Sequence, residues 1–356
     1  MFMSLLRRSL LVVLELAPAA FAQTGAVYTL TNAAGANAVL AYDRGADGRL
    51  TNGRMFPTGG SGLGAGLGSQ GAVILSEDHR WLLAVNAGSD DVTVFSIDGD
   101  SLTWRSKTAS GGDRPISVTL HGDTAFVLNG GGTANVQGFQ LTAAGSLIPL
   151  PGALAALSGA APAQVSFNDR GTALVVTGKD SNTLETFQLD GDRIGGHTVT
   201  ASAGATPFGF AFAHRDRVIV SEAFGGAPGQ SAVSSYQLDR DGKLALITAS
   251  LGTTQTAACW VVVTRDGRLA FAANTGSSSI SSYAIGEEGQ LVLLQATAGQ
   301  TPPGTAAIDL ALSGNGRFLY ALASGTLNAF GVSGGVLTPV STLFGLPASS
   351  VGLAAR

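Results

Sequence analysis

The stretch that decides the fold runs from Arg265 to Tyr283. It reads Arg265-Asp266-Gly267-Arg268, then Phe271-Ala272-Ala273-Asn274, Thr275-Gly276-Ser277 and Ile280-Ser281-Ser282-Tyr283. In order, these are a turn, a short apolar strand ending on a polar residue, a loop of small residues, and a strand ending on an aromatic. Asp-Gly tolerates left-handed backbone angles and reverses a chain tightly. Just upstream, Trp260-Val261-Val262-Val263 is apolar without alternation, which predicts a strand buried on both faces. Downstream, Gly289-Gln290-Leu291 opens a further turn and strand.

The unit is repeated along the chain. The same order recurs from Val27 to Tyr42, Leu82 to Phe95, Phe126 to Phe139, Leu174 to Phe187, Val218 to Tyr236 and Leu319 to Phe330. The closing aromatics stand 53, 44, 48, 49, 47 and 47 residues apart, a period that fits one four-stranded propeller blade. The first unit has no buried strand before Val27, whereas Ser349 to Ala355 is a surplus one at the other end. Pairing the tail with the head removes the open apolar edge that folded proteins avoid. The expected fold is all-β: one seven-bladed β-propeller over residues 23–356, its C-terminal strand completing the N-terminal blade.

Composition narrows the function classes. Of 356 residues, 20 are basic and 24 acidic, and the net charge is −4. That balance gives no basic footprint for nucleic acid or anionic lipid. The single cysteine, Cys259, excludes an internal disulfide framework and a multi-cysteine metal site; it reads as a small core residue in a buried strand. Arg7 and Arg8 precede an apolar stretch from Leu10 to Ala20, and Ala20-Phe21-Ala22 supplies a cleavage pattern. Residues 1–22 are thus expected to be a signal peptide, placing the mature protein in the periplasm or outside the cell. No stretch reaches the roughly 20 apolar residues of a spanning helix. The expected form is a monomer without a membrane span, a nucleic-acid partner or a cofactor.

Chain direction sorts the loops into two faces. The starts of inner strands and the ends of second strands share one face, called upper below. That face collects Gln70, Arg114, Gln164, Phe208, Trp260 and Asp309 from the first set. From the second set it collects Asn32, Asn86, Asn129, Lys179, Glu222 and Asn274. A concave site with a few polar groups on an apolar frame is the default binding location. The asparagines also have a bland reading, as partners of loop backbone groups. His79, His121 and His214 fall in hairpins of the opposite face and His197 in an outer segment, so histidine chemistry and a zinc site are not expected.

Three motif matches fail on context. Gly66-Leu67-Gly68-Ser69-Gln70-Gly71 fits GxGxxG, but a strand follows where a phosphate-binding helix is required. Gly331-Val332-Ser333-Gly334-Gly335 lies in a hairpin rather than a strand-to-helix elbow. Asp239-Arg240-Asp241-Gly242 lacks the bidentate glutamate of a calcium loop. All three read as turns.

The repeat form, with Asp266-Gly267-Arg268, the Asn274-Thr275-Gly276-Ser277 loop, Ile280-Ser281-Ser282-Tyr283 and Gly289-Gln290-Leu291, resembles the seven-bladed lactonase family. That family includes propeller-type 6-phosphogluconolactonases and the fungal carboxymuconate lactonizing enzyme. The resemblance covers residues 26–356 and implies a channel-mouth site using histidine, arginines and a glutamate on a lactone or muconate. Val220-Ser221-Glu222 matches the glutamate position. The places of the histidine and arginines read Pro162-Ala163-Gln164, Thr206-Pro207-Phe208-Gly209 and Ala306-Ala307-Ile308-Asp309, so most of the family's catalytic groups are not matched. Lactone hydrolysis needs a base and a cation for the developing oxyanion. Three readings stay open. One is a propeller that binds a small molecule or partner at the channel mouth, through Asn86, Asn129, Gln164, Phe208, Trp260, Asn274 and Asp309. Another is an enzyme acting on an unphosphorylated lactone, with Glu222 as base and Arg114 or Lys179 as cation. The third is a structural surface protein, drawn from the low charge and the Gly/Ser/Thr-rich loops.

Overall fold

In the computed structural model, which describes residues 23–356, seven four-stranded antiparallel sheets stand around a central channel. Each blade runs outward in chain order from its inner strand. Blade 2 comprises Val73–Leu75, Trp81–Asn86, Asp91–Asp98 and Ser101–Ala109. Blade 6 comprises Ala258–Val263, Leu269–Asn274, Ser279–Ile285 and Leu291–Gln300. The inner strands of blades 3, 4, 5 and 7 are Pro115–His121, Pro162–Phe167, Pro207–Ala213 and Ala307–Leu312.

Blade 1 alone breaks sequence order. Its inner strand is Val351–Ala355, followed outward by Gln23–Leu30, Ala38–Gly45 and Leu50–Pro57. The register is Val27 with Ala355, Tyr28 with Ala354, Thr29 with Leu353 and Leu30 with Val351. Arg356 N donates to Ala26 O at 2.9 Å, and Ser349 Oγ donates to Thr31 O at 2.7 Å. The tail closes the ring on the head, as the surplus strand predicted.

The repeated aromatics build the core. Tyr42, Phe95, Phe139, Phe187, Tyr236, Tyr283 and Phe330 are all buried on third strands. Each faces an aliphatic residue of the second strand, such as Leu82 opposite Phe95 and Leu319 opposite Phe330. Burying such a side chain is worth about 1.5–3 kcal/mol, so one aromatic per blade is a repeated anchor between neighbouring sheets. Outer strands alternate instead: Arg193–Ala201 changes between exposed and part-buried at every residue, the pattern of a sheet with one wet face.

Inner strands carry a shared irregularity. In blades 3, 4, 6 and 7, one residue bulges out near the upper end: Ile116, Ala163, Cys259 and Ile308. Two residues of the inner strand then oppose one of the second strand. The bulge marks where each blade turns its edge into the channel.

The two ends of the channel

Inner strands present an unpaired edge of N–H and C=O groups to the channel. Buried groups of this kind need partners. At the upper end a segment between blades 1 and 2, Gly68–Gly71, supplies them. Gln70 N donates to Ala163 O at 3.0 Å and Val118 N donates to Gly71 O at 2.9 Å. Ser69 Oγ donates to Ile116 O at 2.8 Å. Across the channel, Gln70 pairs both ways with one residue of blade 6: Nε2 donates to Val261 O at 2.8 Å, and Val261 N donates to Oε1 at 3.1 Å. The Trp260 indole donates to Ser69 O at 2.9 Å. The segment is thereby tied to blades 3, 4 and 6, and it plugs the upper mouth.

This plug is the Gly66–Gly71 stretch read above as a turn. Its glycines have a local cause. Gly68 and Gly71 have φ of +61° and +84°, angles that L side chains adopt at a cost. A methyl at Gly71 would come within 2.9 Å of Ser117 Oγ. Asn32 holds the approach to the plug: its Oδ1 accepts from Leu63 N at 3.0 Å and its Nδ2 donates to Ala65 O at 2.5 Å.

Four of the candidate residues meet around the plug. Gln164 bridges to blade 5, accepting from Phe210 N at 2.7 Å and donating to Phe210 O at 2.9 Å. Phe208 packs against Trp260 with ring centroids 4.9 Å apart. Lys179 Nζ stands 4.9 Å from the Phe208 ring and donates to Gly68 O at 2.6 Å. Burial pulls the Lys179 ammonium below its usual range, and the nearby Arg114 adds to that; Cys259 and Asp180 oppose it. Burial pushes the Cys259 thiol up to about 11, so it is held as an unreactive thiol rather than a thiolate.

Arg114 lies exposed on the rim. Its φ is +53°, and Ala161, Thr206 and Ala257 before the next three inner strands are left-handed too, at +51°, +58° and +59°. Each of the four carbonyls accepts from the loop after the second strand: Gly130 N, Lys179 N, Ala223 N and Thr275 N. Arg114 Nη2 donates to Gly130 O at 2.6 Å, and its own amide donates to Asp90 Oδ1 at 2.7 Å.

Glu222 and the asparagines form a different set. Asn86, Asn129, Glu222 and Asn274 each end a second strand, opposite the first residue of the third. Asn86 Nδ2 donates to Thr93 Oγ1 and Asn274 Nδ2 to Ser281 Oγ, both at 2.9 Å. Asn129 Nδ2 donates to Ser110 O at 3.1 Å, joining its blade to the loop from the one before. Glu222 takes the asparagine's place with the donors reversed. Its carboxylate accepts from Ser234 Oγ at 2.5 Å, Ser250 Oγ at 2.5 Å and Gly204 N at 2.8 Å. All three partners belong to blade 5 or to the loop leading into it. Burial raises the Glu222 carboxyl, while these three bonds hold it down. Neither Arg114 nor Lys179 is among the groups that bond it.

Blade 4 shows what happens when the position is empty. Gly178 stands there, and Glu185 reaches in from the third strand, accepting from Ser158 N at 2.9 Å, Gly159 N at 2.5 Å and His197 Nε2 at 2.8 Å. Sequence reasoning missed Glu185. Its signal was an acid in Thr183–Asp190, paired with a glycine where blades 2, 3, 5 and 6 carry a polar residue.

Asp309 sits on the inner strand of blade 7, facing the closing strand. Oδ1 accepts from Leu310 N at 2.8 Å, and Oδ2 has no hydrogen-bond partner. Burial holds this carboxyl well above its usual range, against the nearby Leu310 and Leu353 amides. A buried carboxyl keeps its proton when the charged form lacks compensation.

The lower end holds a cavity. Among the described residues, the inner strands of blades 3, 4 and 5 and the turn of blade 2 enclose a cavity of about 340 Å³ there. No group of three or more His, Cys, Asp or Glu side chains suited to a metal ion occurs among the described residues.

Comparison with known proteins agrees with this architecture. The periplasmic gluconolactonase of Pseudomonas aeruginosa superposes with a TM-score of 0.72 at 18% identity, covering 92% of this chain and 99% of that one. A protein from Lactobacillus plantarum superposes with a TM-score of 0.75 at 14% identity, covering 94% and 99%. A functionally unknown protein from Desulfotomaculum acetoxidans gives 0.69 at 16% identity, covering 93% and 98%. These likenesses show the fold. No curated protein sequence matches the chain. The family model "Lactonase, 7-bladed beta-propeller" matches residues 19–150 and 216–309, the stretches that hold the closing head, the plug, Glu222 and Asp309. With more than half of its length matched, and with seven blades closed by the tail, the chain is a member of the seven-bladed β-propeller lactonase family.

Proposed function

We propose that this chain is an exported member of the family that binds a sugar lactone, or the acid it opens to, at the upper rim without opening the ring. One observation carries the reading: Gly68–Gly71 fills the upper mouth. Hydrolysis needs a base within hydrogen-bond reach of a water and a cation or donor at the oxyanion. Glu222 is fully buried, with its oxygens committed to Ser234, Ser250 and Gly204. Arg114 and Lys179 remain beside the plug as groups for a carboxylate or a polarised carbonyl. The gluconolactonase among the similar structures supplies the substrate class. Export rests on Arg7–Ala22, which lies outside the described residues, and the periplasmic location of that neighbour accords with it.

The test combines turnover with calorimetry. Glucono-1,5-lactone should open no more than about twice as fast with protein as in buffer, and Glu222→Gln should not change that rate. Gluconate or the lactone should bind saturably, with affinity reduced roughly tenfold in Arg114→Ala or Lys179→Ala, the loss of about 1.4 kcal/mol expected for one charged hydrogen bond. Turnover well above buffer that disappears in Glu222→Gln would make the chain a hydrolase instead. Absence of both binding and turnover would remove the sugar-lactone reading altogether.

A further inference from the structure

The lower end of the channel has the features that the upper end lacks. Its cavity of about 340 Å³ has Phe167 and the part-buried Phe212 in its wall, beside the buried Phe210, and carries Glu77, His121 and Asp169. A second cavity of about 500 Å³ shares Glu77 and Leu120 with the first and runs outward between blades 2 and 3, past Trp81 and Asp123. Together they form one groove that starts in the channel and leaves radially, with Glu77 at the junction.

Charge in this groove is mostly negative, with Arg80 as the one arginine lining it. Glu77 and Asp169 line the inner cavity, and Glu77, Asp78 and Asp123 line the outer one. Arg80 is already held by Asp78, with Nε 2.5 Å from Oδ2. At the next blade, Arg170 is held by Asp216, with Nη2 2.5 Å from Oδ2. Glu77 has His121 as its neighbour, at 3.7 Å from Oε1 to Nδ1. The side chain of Glu77 is 80% exposed, so it is free to turn toward a ligand. The wall itself asks for no polar partner: Gln164 satisfies the Phe210 peptide, and Thr119 Oγ1 accepts from Phe167 N at 3.3 Å.

Carboxylates at the rim of an aromatic cavity fit a positive charge on an apolar body. Aromatic faces attract cations, and low-dielectric walls focus the field of the acids. An anion or a neutral sugar gains neither. We infer that the lower channel mouth is a binding site for a small organic cation, an ammonium carried on an aromatic or aliphatic body, with Glu77 and Asp169 facing the charge and Phe212 and Phe167 the body. It is separate from the upper rim and does not depend on the reading given there.

The probes are benzyltrimethylammonium and phenethylamine, with 2-phenylethanol as the neutral counterpart, titrated into the mature protein. Both cations should bind saturably, with 2-phenylethanol at least tenfold weaker. His121 ring resonances should shift on titration while those of His197, on an outer strand, stay fixed. Glu77→Gln should weaken the cations at least fivefold with an unchanged melting temperature, and Lys179→Ala should leave them unaffected. No saturable binding of either cation would overturn the assignment, as would equal binding of 2-phenylethanol. Cation binding that Glu77→Gln leaves intact, or that shifts His197 rather than His121, would overturn it as well.

Discussion

The two mouths of one channel, built from the same seven strands, have opposite fates. Above, backbone and the Gln70 side chain fill the space, and the nearby ionisable side chains Lys179 and Arg114 are basic. Below, the space stays open, and the charges are mainly carboxylates. The difference teaches that a propeller's symmetry fixes where a site can form, while a single linker decides whether it does. The inner strands of blades 3, 4, 5 and 6 start from loops bonded to the neighbouring second-strand loop on the rim. The linker into blade 2 dips into the channel instead, with two left-handed glycines and a glutamine long enough to cross.

Removing the ring should erase the distinction between the ends. Deleting residues 346–356 exposes the edge of Gln23–Leu30 and removes the buried side chains of Leu346, Val351 and Leu353. At about 1.5–3 kcal/mol per buried aliphatic side chain, the melting temperature should fall by roughly 10 °C or more, or the protein should be insoluble. A soluble truncation with unchanged melting would break the closure account.

A smaller change attacks the plug alone. A methyl at Gly209 would overlap Gln70 Oε1 and come within 2.6 Å of the Cys259 carbonyl oxygen. Gly209→Ala should therefore cost on the order of 2–3 kcal/mol, the usual range for overpacking. Urea unfolding is the measurement, and a stability within about 0.5 kcal/mol of the parent would show that Gln70 is not held against Gly209.

Asp309 sharpens the comparison through pH. Its folded carboxyl is raised by burial, so the folded state keeps a proton that the unfolded chain has released. That contribution is fully present below the unfolded value near 3.9 and is lost as pH rises through the folded value. Asp309→Asn should thus be more stable than the parent at pH 8, with the gap closing toward pH 4. A gap that is constant across this range would mean that the carboxyl is not protonated in the folded protein.

The legibility of the sequence followed the range of the contacts. Seven aromatics at a near-constant spacing reported a local motif, so the blades and the closing strand could be read directly. The asparagine position could be read as well, because Asn86 and Asn274 bond residues five to seven places along the chain. The plug could not. Gln70 meets Val261 across 191 positions, and its GxGxxG pattern says only that the backbone turns. Glu222 matched the family's glutamate by position, yet its Ser250 partner lies 28 residues away, beyond what the strand pattern alone could assign. The lower cavity escaped notice for a similar reason: Glu77, His121 and Asp169 stand in three separate hairpins, each of which reads as an ordinary surface turn.

Native-state hydrogen exchange over residues 66–73 tests the closed upper mouth most directly. With Gln70 N bonded to Ala163 O inside the channel, this amide should exchange as slowly as those of Ala258–Val263. Exchange within seconds at the Gln70 amide, while the inner strands remain protected, would mean that the upper channel stands open and that its residues are free to act on a substrate.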